Sequence, residues 1–136
     1  MGRLFMVAIL VTLSAAPLML PVNAQQGSTI TLSCNGTDKL TATAAADLKP
    51  DPITNLGIIV NLANRTVTLN QYVLPITNVT DNLIQFDGQE NWGENVVQLS
   101  GGIDRVTGGA DVGWYFPNVG NNHRWELTCV PATRMF

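Results

Sequence analysis

Ser28-Thr29-Ile30-Thr31-Leu32-Ser33-Cys34, near the start of the chain, and Arg124-Trp125-Glu126-Leu127-Thr128-Cys129, near its end, share one pattern. In each, apolar and polar side chains alternate, which is the period of a half-buried strand because successive side chains of a strand point to opposite faces. Ile30, Leu32 and Cys34 share one face of the first run, and Trp125, Leu127 and Cys129 share one face of the second. Both cysteines are thus in register with the apolar side, and the chain has no others. In an oxidising compartment two cysteines in a small domain pair most simply with each other. A disulfide needs Cα atoms within about 7 Å. The first and last strands are therefore expected to be neighbours or to face each other across the core, in a sheet that is closed or nearly so.

Between these two runs the same period recurs. Leu56, Ile58, Val60 and Leu62 alternate with Gly57, Ile59, Asn61 and Ala63, then Val67 and Leu69 alternate with Thr66, Thr68 and Asn70. Asn64-Arg65 separates these runs and has hairpin-turn chemistry. Further strands are expected at Gln71 to Leu74, Leu83 to Phe86, Val96 to Ile103 and Ala110 to Phe116. The fold class is all-β, with about eight strands in a small antiparallel up-and-down barrel or a flattened sandwich. Asp104-Arg105-Val106-Thr107-Gly108 reads as a tight turn: Asp104 can accept from nearby backbone N–H groups, and Gly108-Gly109 can take positive φ. Two stretches break the alternation. Gly36 to Asn55 reads as a long excursion, a candidate contact surface in which Ala42 to Leu48 forms a short helical turn stopped by Pro50-Asp51-Pro52. Asp87 to Asn95 reads as an acidic loop holding Trp92.

The amino end is of another kind. Arg3 precedes a segment from Leu4 to Ala16 that is apolar apart from Thr12 and Ser14, and Val22-Asn23-Ala24 supplies the small-residue pattern of a cleavage site. Residues 1–24 therefore read as a secretory signal peptide, cut before Gln25, and 25–136 as a single domain. The product is expected in a periplasm or outside the cell, with no stable membrane insertion after cleavage. Without Arg3 it carries six Lys and Arg against ten Asp and Glu, a net charge of −4. Nucleic acid is excluded as a partner, because phosphate contacts need clustered cations that this chain lacks.

Catalytic chemistry is sparse. His123 is the single histidine, with no second histidine or free thiol to make a metal ligand set or an activated nucleophile. The Asp87 to Asn95 stretch concentrates carboxylates and amides, but its spacing fits no calcium-binding motif. No catalytic residue, metal ligand or cofactor is assigned. Asp111 and Glu126 are the carboxylates that could meet in a cleft, the minimum for a hydrolase of that type. Aromatic residues crowd the second half: Trp92, Trp114, Tyr115, Phe116 and Trp125. Alternation sends Trp114 and Phe116 to the core face and Tyr115 to the other. Trp92, Tyr115 and Arg124 are thus the candidate binding residues, a composition favoured at binding hot spots. The expected partner is a protein or a small-molecule ligand. Three glycosylation sequons, at Asn35, Asn64 and Asn78, are close to what composition alone yields.

The first strand ending in Ser33-Cys34-Asn35-Gly36, the turn Gly102-Ile103-Asp104-Arg105-Val106-Thr107-Gly108 and the ending Trp125-Glu126-Leu127-Thr128-Cys129-Val130-Pro131, behind a signal peptide, resemble small exported proteins of alphaproteobacteria of the rhizobial kind. That resemblance implies a bacterial periplasmic setting and no mechanism. Cys34-Asn35-Gly36 and the late Cys129 are also similar to the pattern of the periplasmic inhibitors of C-type lysozyme, small exported barrels with a disulfide tying early and late parts of the chain. The inhibitors' Ser-Gly-x-x-Tyr loop is absent, since Ser100-Gly101-Gly102 lacks the tyrosine, and no inhibitor residue carries over. The function expected from the residues is binding, with a lysozyme-inhibitor-like or structural envelope role as the alternative and a carboxylate-dependent hydrolase behind both.

Overall fold

The computed structural model describes residues 29–41, 48–118 and 120–133. They form eight strands: β1 (Thr29–Leu40), β2 (Asp51–Asn61), β3 (Thr66–Leu69), β4 (Tyr72–Val79), β5 (Leu83–Trp92), β6 (Asn95–Asp104), β7 (Gly109–Phe116) and β8 (Asn121–Pro131). Each pairs antiparallel with its neighbours in chain order, and β1 pairs with β8, closing an up-and-down barrel. Of the two architectures expected, the barrel is the one adopted. No helix among the described residues is long and apolar enough to cross a membrane. The expected signal peptide lies outside them.

The closing seam is where the cysteines sit. Cys34 and Cys129 are directly opposite in the β1–β8 ladder and form a disulfide with Cα atoms 4.0 Å apart. The first and last strands are therefore neighbours, and the bridge lies within the wall of the barrel. Alternation explains the rest of the interior. Ile58, Val60, Val67, Leu69, Leu74, Ile84, Phe86, Val97, Leu99 and Val112 are all but inaccessible, and they come from every strand from β2 to β7. Among the described residues no polar or charged side chain is fully buried. The middle of the barrel is thus filled by its own side chains, as small barrels of this strand number can be, while at the end carrying the β6–β7 turn a hollow of about 440 Å³ opens between Ile30, Leu32, Ile84 and Ile103.

Turn chemistry follows the residues. Arg65 and Asn70 take positive φ in the β2–β3 and β3–β4 connections, and Gly93 does so between β5 and β6. Between β6 and β7, Asp104 Oδ1 accepts from the N–H groups of Val106 and Thr107 at 2.8 and 2.9 Å, and Gly108 has φ of 76°. The expected turn is present, with Gly108 and not Gly109 carrying the positive φ.

Both irregular stretches are shorter than their sequence suggests. The excursion from Gly36 to Asn55 is strand at both ends, since β1 continues to Leu40 and β2 starts at Asp51. Asn55 adopts φ of 52° beside a register shift in the β1–β2 ladder, and its N–H donates to Asn35 Oδ1 at 2.9 Å. That bulge hides the alternation, because it moves every later side chain by one place. The helical turn expected at Ala42 to Leu48 falls largely outside the described residues. The acidic loop from Asp87 to Asn95 is likewise mostly strand: β5 runs to Trp92, β6 starts at Asn95, and only Gly93-Glu94 turns. Gly88 and Glu90 stand on the register of buried Phe86, so the interior-facing row is polar or bare there.

Candidate functional site

The outward faces of β5 to β8 bear a long trough. Along β7 the outward positions are Gly109, Asp111, Gly113 and Tyr115, while Ala110, Val112 and Trp114 turn into the core. Glycine thus occupies every second outward place. Register sets Gly113 between Ser100 of β6 and Arg124 of β8, and Asp111 between Gly102 and Glu126. The trough has two lobes. One, of about 820 Å³, is lined by Gln85, Asp87, Gln98, Ser100, Tyr115 and Arg124 among others, and the second, of about 500 Å³, extends past Asp104, Gly109 and Thr128. They meet at a ridge where Leu83 and Asp111 close over the buried Gly102. The larger lobe follows β7 from Asp111 past Gly113 to Tyr115, roughly 13 Å at the rise of an extended strand.

Two of the floor glycines are not demanded by the backbone. Neither Gly102 nor Gly113 has positive φ. A Cβ at Gly113 would lie 3.7 Å from Ser100 Oγ and 3.8 Å from its carbonyl oxygen, and one at Gly102 would come no nearer than 3.5 Å to Leu83. Both are ordinary contact distances. Gly101 differs: it faces inward opposite Phe86 and Val112, and a Cβ there would lie 2.4 Å from the carbonyl oxygen of Asp111 and 2.5 Å from the Phe86 ring. Phe86 fills the space over a glycine that cannot be replaced, the Leu83 and Asp111 side chains cover Gly102, and Gly113 leaves the outer surface bare.

The walls carry both charges. Lys39 Nζ contacts Glu126 Oε2 at 2.6 Å, and Arg124 Nε lies 4.0 Å from Glu126 Oε1. The hydrogen bond and the charge of Lys39 hold the Glu126 carboxyl below the usual glutamate range, with Arg124 adding a smaller pull. Asp87 and Asp111 have no ion-pair partner among the described residues. Asp111 and Glu126, the carboxylates singled out in the sequence, are directly opposite across β7 and β8. A general acid needs a raised pKa, and Glu126 is shifted the other way.

The candidate binding residues divide between two places. Tyr115, 43% exposed, and Arg124 both line the trough. Trp92 does not: it lies at the end of the barrel that carries the β3–β4, β5–β6 and β7–β8 connections. There its ring stacks on Tyr72 with centroids 5.6 Å apart and meets Trp114 and Phe116 edge-on at 5.7 and 5.5 Å. Trp125 packs on Trp114 at 4.7 Å. Trp114, Phe116 and Trp125 all pack into or against the core, as alternation indicates.

At the same end His123 Nδ1 lies 3.1 and 3.2 Å from the two carboxylate oxygens of Asp38, and its ring meets Phe116 edge-on. His123 is a half-buried member of a pair. Asp38 sits in the stretch whose alternation the bulge obscures, and the sequence signal for the pair is parity: Asp38 and His123 keep that of Cys34 and Cys129 along their strands. Among the described residues there is no grouping of three His, Cys, Asp or Glu that could hold a metal ion.

An eight-stranded up-and-down barrel with a packed middle and a polar trough on its outer wall is the class that fold and site define. No protein-family model, curated protein or solved structure matches the chain.

Proposed function

We propose that this protein is an exported binding module whose ligand lies in the outer trough along β7. The observation that carries this is the bare floor at Gly113. Glycine inside a strand costs about 0.5–1 kcal/mol relative to alanine. Here neither φ nor crowding requires it, so the return is open surface. The lobes match the size of small-molecule sites, roughly 300–1,000 Å³. Tyr115 and Arg124 supply an aromatic plane and a guanidinium beside them.

The packed middle of the barrel argues against carriage of a ligand deep inside it. A purely structural envelope role would go with a filled barrel and a featureless wall, and this wall has a feature. Export is supported by the signal-like amino end and the disulfide. The outward face, with Thr, Ser, Asn, Gln and charged side chains over an apolar interior, is the reverse of a lipid-facing barrel and favours an aqueous setting.

The test is a small-molecule fragment screen of the 25–136 protein by amide NMR, repeated with Gly113→Val. Hits should cluster at Gln85, Ser100, Gly113 and Arg124 and disappear in the variant. Hits confined to the disulfide-side end of the barrel, or unchanged by Gly113→Val, would remove the trough from consideration.

A further inference from the structure

Given the trough as the binding site, on which this step rests, the geometry points to an unbranched, electrically neutral oligosaccharide as its ligand. Four observations converge on that class. The first is shape: the larger hollow is elongated along β7, from Asp111 past Gly113 to Tyr115, roughly 13 Å at the rise of a strand. A short stretch of an extended chain fits it.

The second is the kind of hydrogen bonding on offer. Gln85, Asp87, Gln98, Ser100 and Asp111 present amide, carboxylate and hydroxyl groups from neighbouring strands. Planar amides and carboxylates both accept, and amides and hydroxyls also donate. Such a set pairs with vicinal hydroxyls, which donate and accept at once. The third is Tyr115, whose exposed ring stands at one end of the floor beside Gly113. An aromatic face there can pack against the apolar C–H face of a pyranose ring, as aromatic rings do with other apolar surfaces.

The fourth excludes the competing extended polymer. A peptide bound along a strand draws its affinity from main-chain hydrogen bonds at a free sheet edge. β7 has none to give, being paired along its length with β6 on one side and β8 on the other. Charge completes the choice. Asp87 and Asp111 disfavour an acidic sugar, Lys39 is held by Glu126, and Arg124 is one cation against those two carboxylates in the hollow.

The experiment is isothermal titration calorimetry with three linear probes, the hexamers of β-1,4-glucose, β-1,4-N-acetylglucosamine and α-1,4-glucose, and an unstructured neutral peptide of similar length. At least one hexamer should bind, and the monosaccharide of the same unit should bind more weakly because it fills only part of the hollow. Tyr115→Ala should weaken the hexamer about tenfold or more, and Gly113→Ala, which adds one methyl at ordinary contact distances, should weaken it by a similar factor. Val130→Thr, on an exposed position of β8 outside the trough, should leave it unchanged. Circular dichroism of each variant controls for folding. If the peptide binds, no sugar does, and Gly113→Ala weakens the peptide, the sugar assignment is overturned while the trough stands. If a hexamer binds and both trough variants retain full affinity, the trough itself is wrong.

Discussion

Gly101 and Gly113 sit on neighbouring strands of the same wall and have opposite reasons for being glycine. At Gly101 a methyl would collide with the carbonyl oxygen of Asp111 and with the Phe86 ring, one of the largest fully buried side chains. Backbone cannot retreat and the ring has no room, so Gly101→Ala should destabilise the protein by about 1–3 kcal/mol, the range for overpacking. Gly113→Ala meets only ordinary contacts and gains strand propensity, so it should be neutral or stabilising by up to about 1 kcal/mol. Urea unfolding at pH 7 reads both, and equal losses for the two would show that the floor is structural throughout. Trp92 gives a third residue-level expectation. It contacts three rings yet is 39% exposed, so Trp92→Ala should cost about 1–3 kcal/mol and leave trough binding unaltered.

Among the elements, the strands legible in the sequence are those whose inward row is apolar: the Ile30 half of β1, the second half of β2, β3, the first halves of β4 and β5, β6, β7, and β8 from Trp125 onward. Those cut short have polar or bare positions facing inward, namely Gly36 and Asp38 in β1 and Gly88 and Glu90 in β5. Near an end of a barrel the interior face is partly wet, so alternation of hydropathy stops before alternation of side chains does. The trough was legible only in part. Tyr115 and Arg124 stood out by residue type, but the glycine floor depends on register, which assigns Gly102, Gly109 and Gly113 to one face only once β6, β7 and β8 are aligned. The β6–β7 turn is the element whose chemistry the sequence states outright. Two backbone N–H groups, from Thr107 and then Val106, hold the Asp104 carboxyl below the ordinary aspartate range. A lowered folded pKa means that the contribution is fully present above the ordinary value and is lost as pH falls through the lowered one. Asp104→Ala should therefore lower the urea midpoint at pH 7, and its gap from the wild type should narrow steadily as the pH is taken below about 4. A gap independent of pH would mean that the charge contributes nothing to the turn.

For the whole molecule the decisive contact is the one most distant in sequence. β1 and β8 pair from Leu32 to Leu40, with Cys34 opposite Cys129 across a separation of 95 residues. Every other ladder joins consecutive strands through a turn or a short connection, so this seam alone bears the entropy of closing nearly the whole domain. The disulfide removes much of that entropy from the unfolded chain, by about 4–5 kcal/mol in the loop model, while measured losses of native bridges run at roughly 2–5 kcal/mol. The double variant Cys34→Ala/Cys129→Ala should thus unfold roughly 10–30 °C lower than the oxidised protein. Its far-ultraviolet circular dichroism at 20 °C should be unchanged, because the ladder that closes the barrel is still made. The loss should also be uneven in kinetics. With the two ends no longer tethered, refolding should slow, since the longest-range pairing must now be found by diffusion, and amide exchange should rise first in β1 and β8. A variant that matched the oxidised protein to within about 0.5 kcal/mol would mean that the β1–β8 hydrogen bonds close the barrel unaided. The cysteines would then lie on the apolar face as packing, and their pairing would mark the compartment without holding the fold.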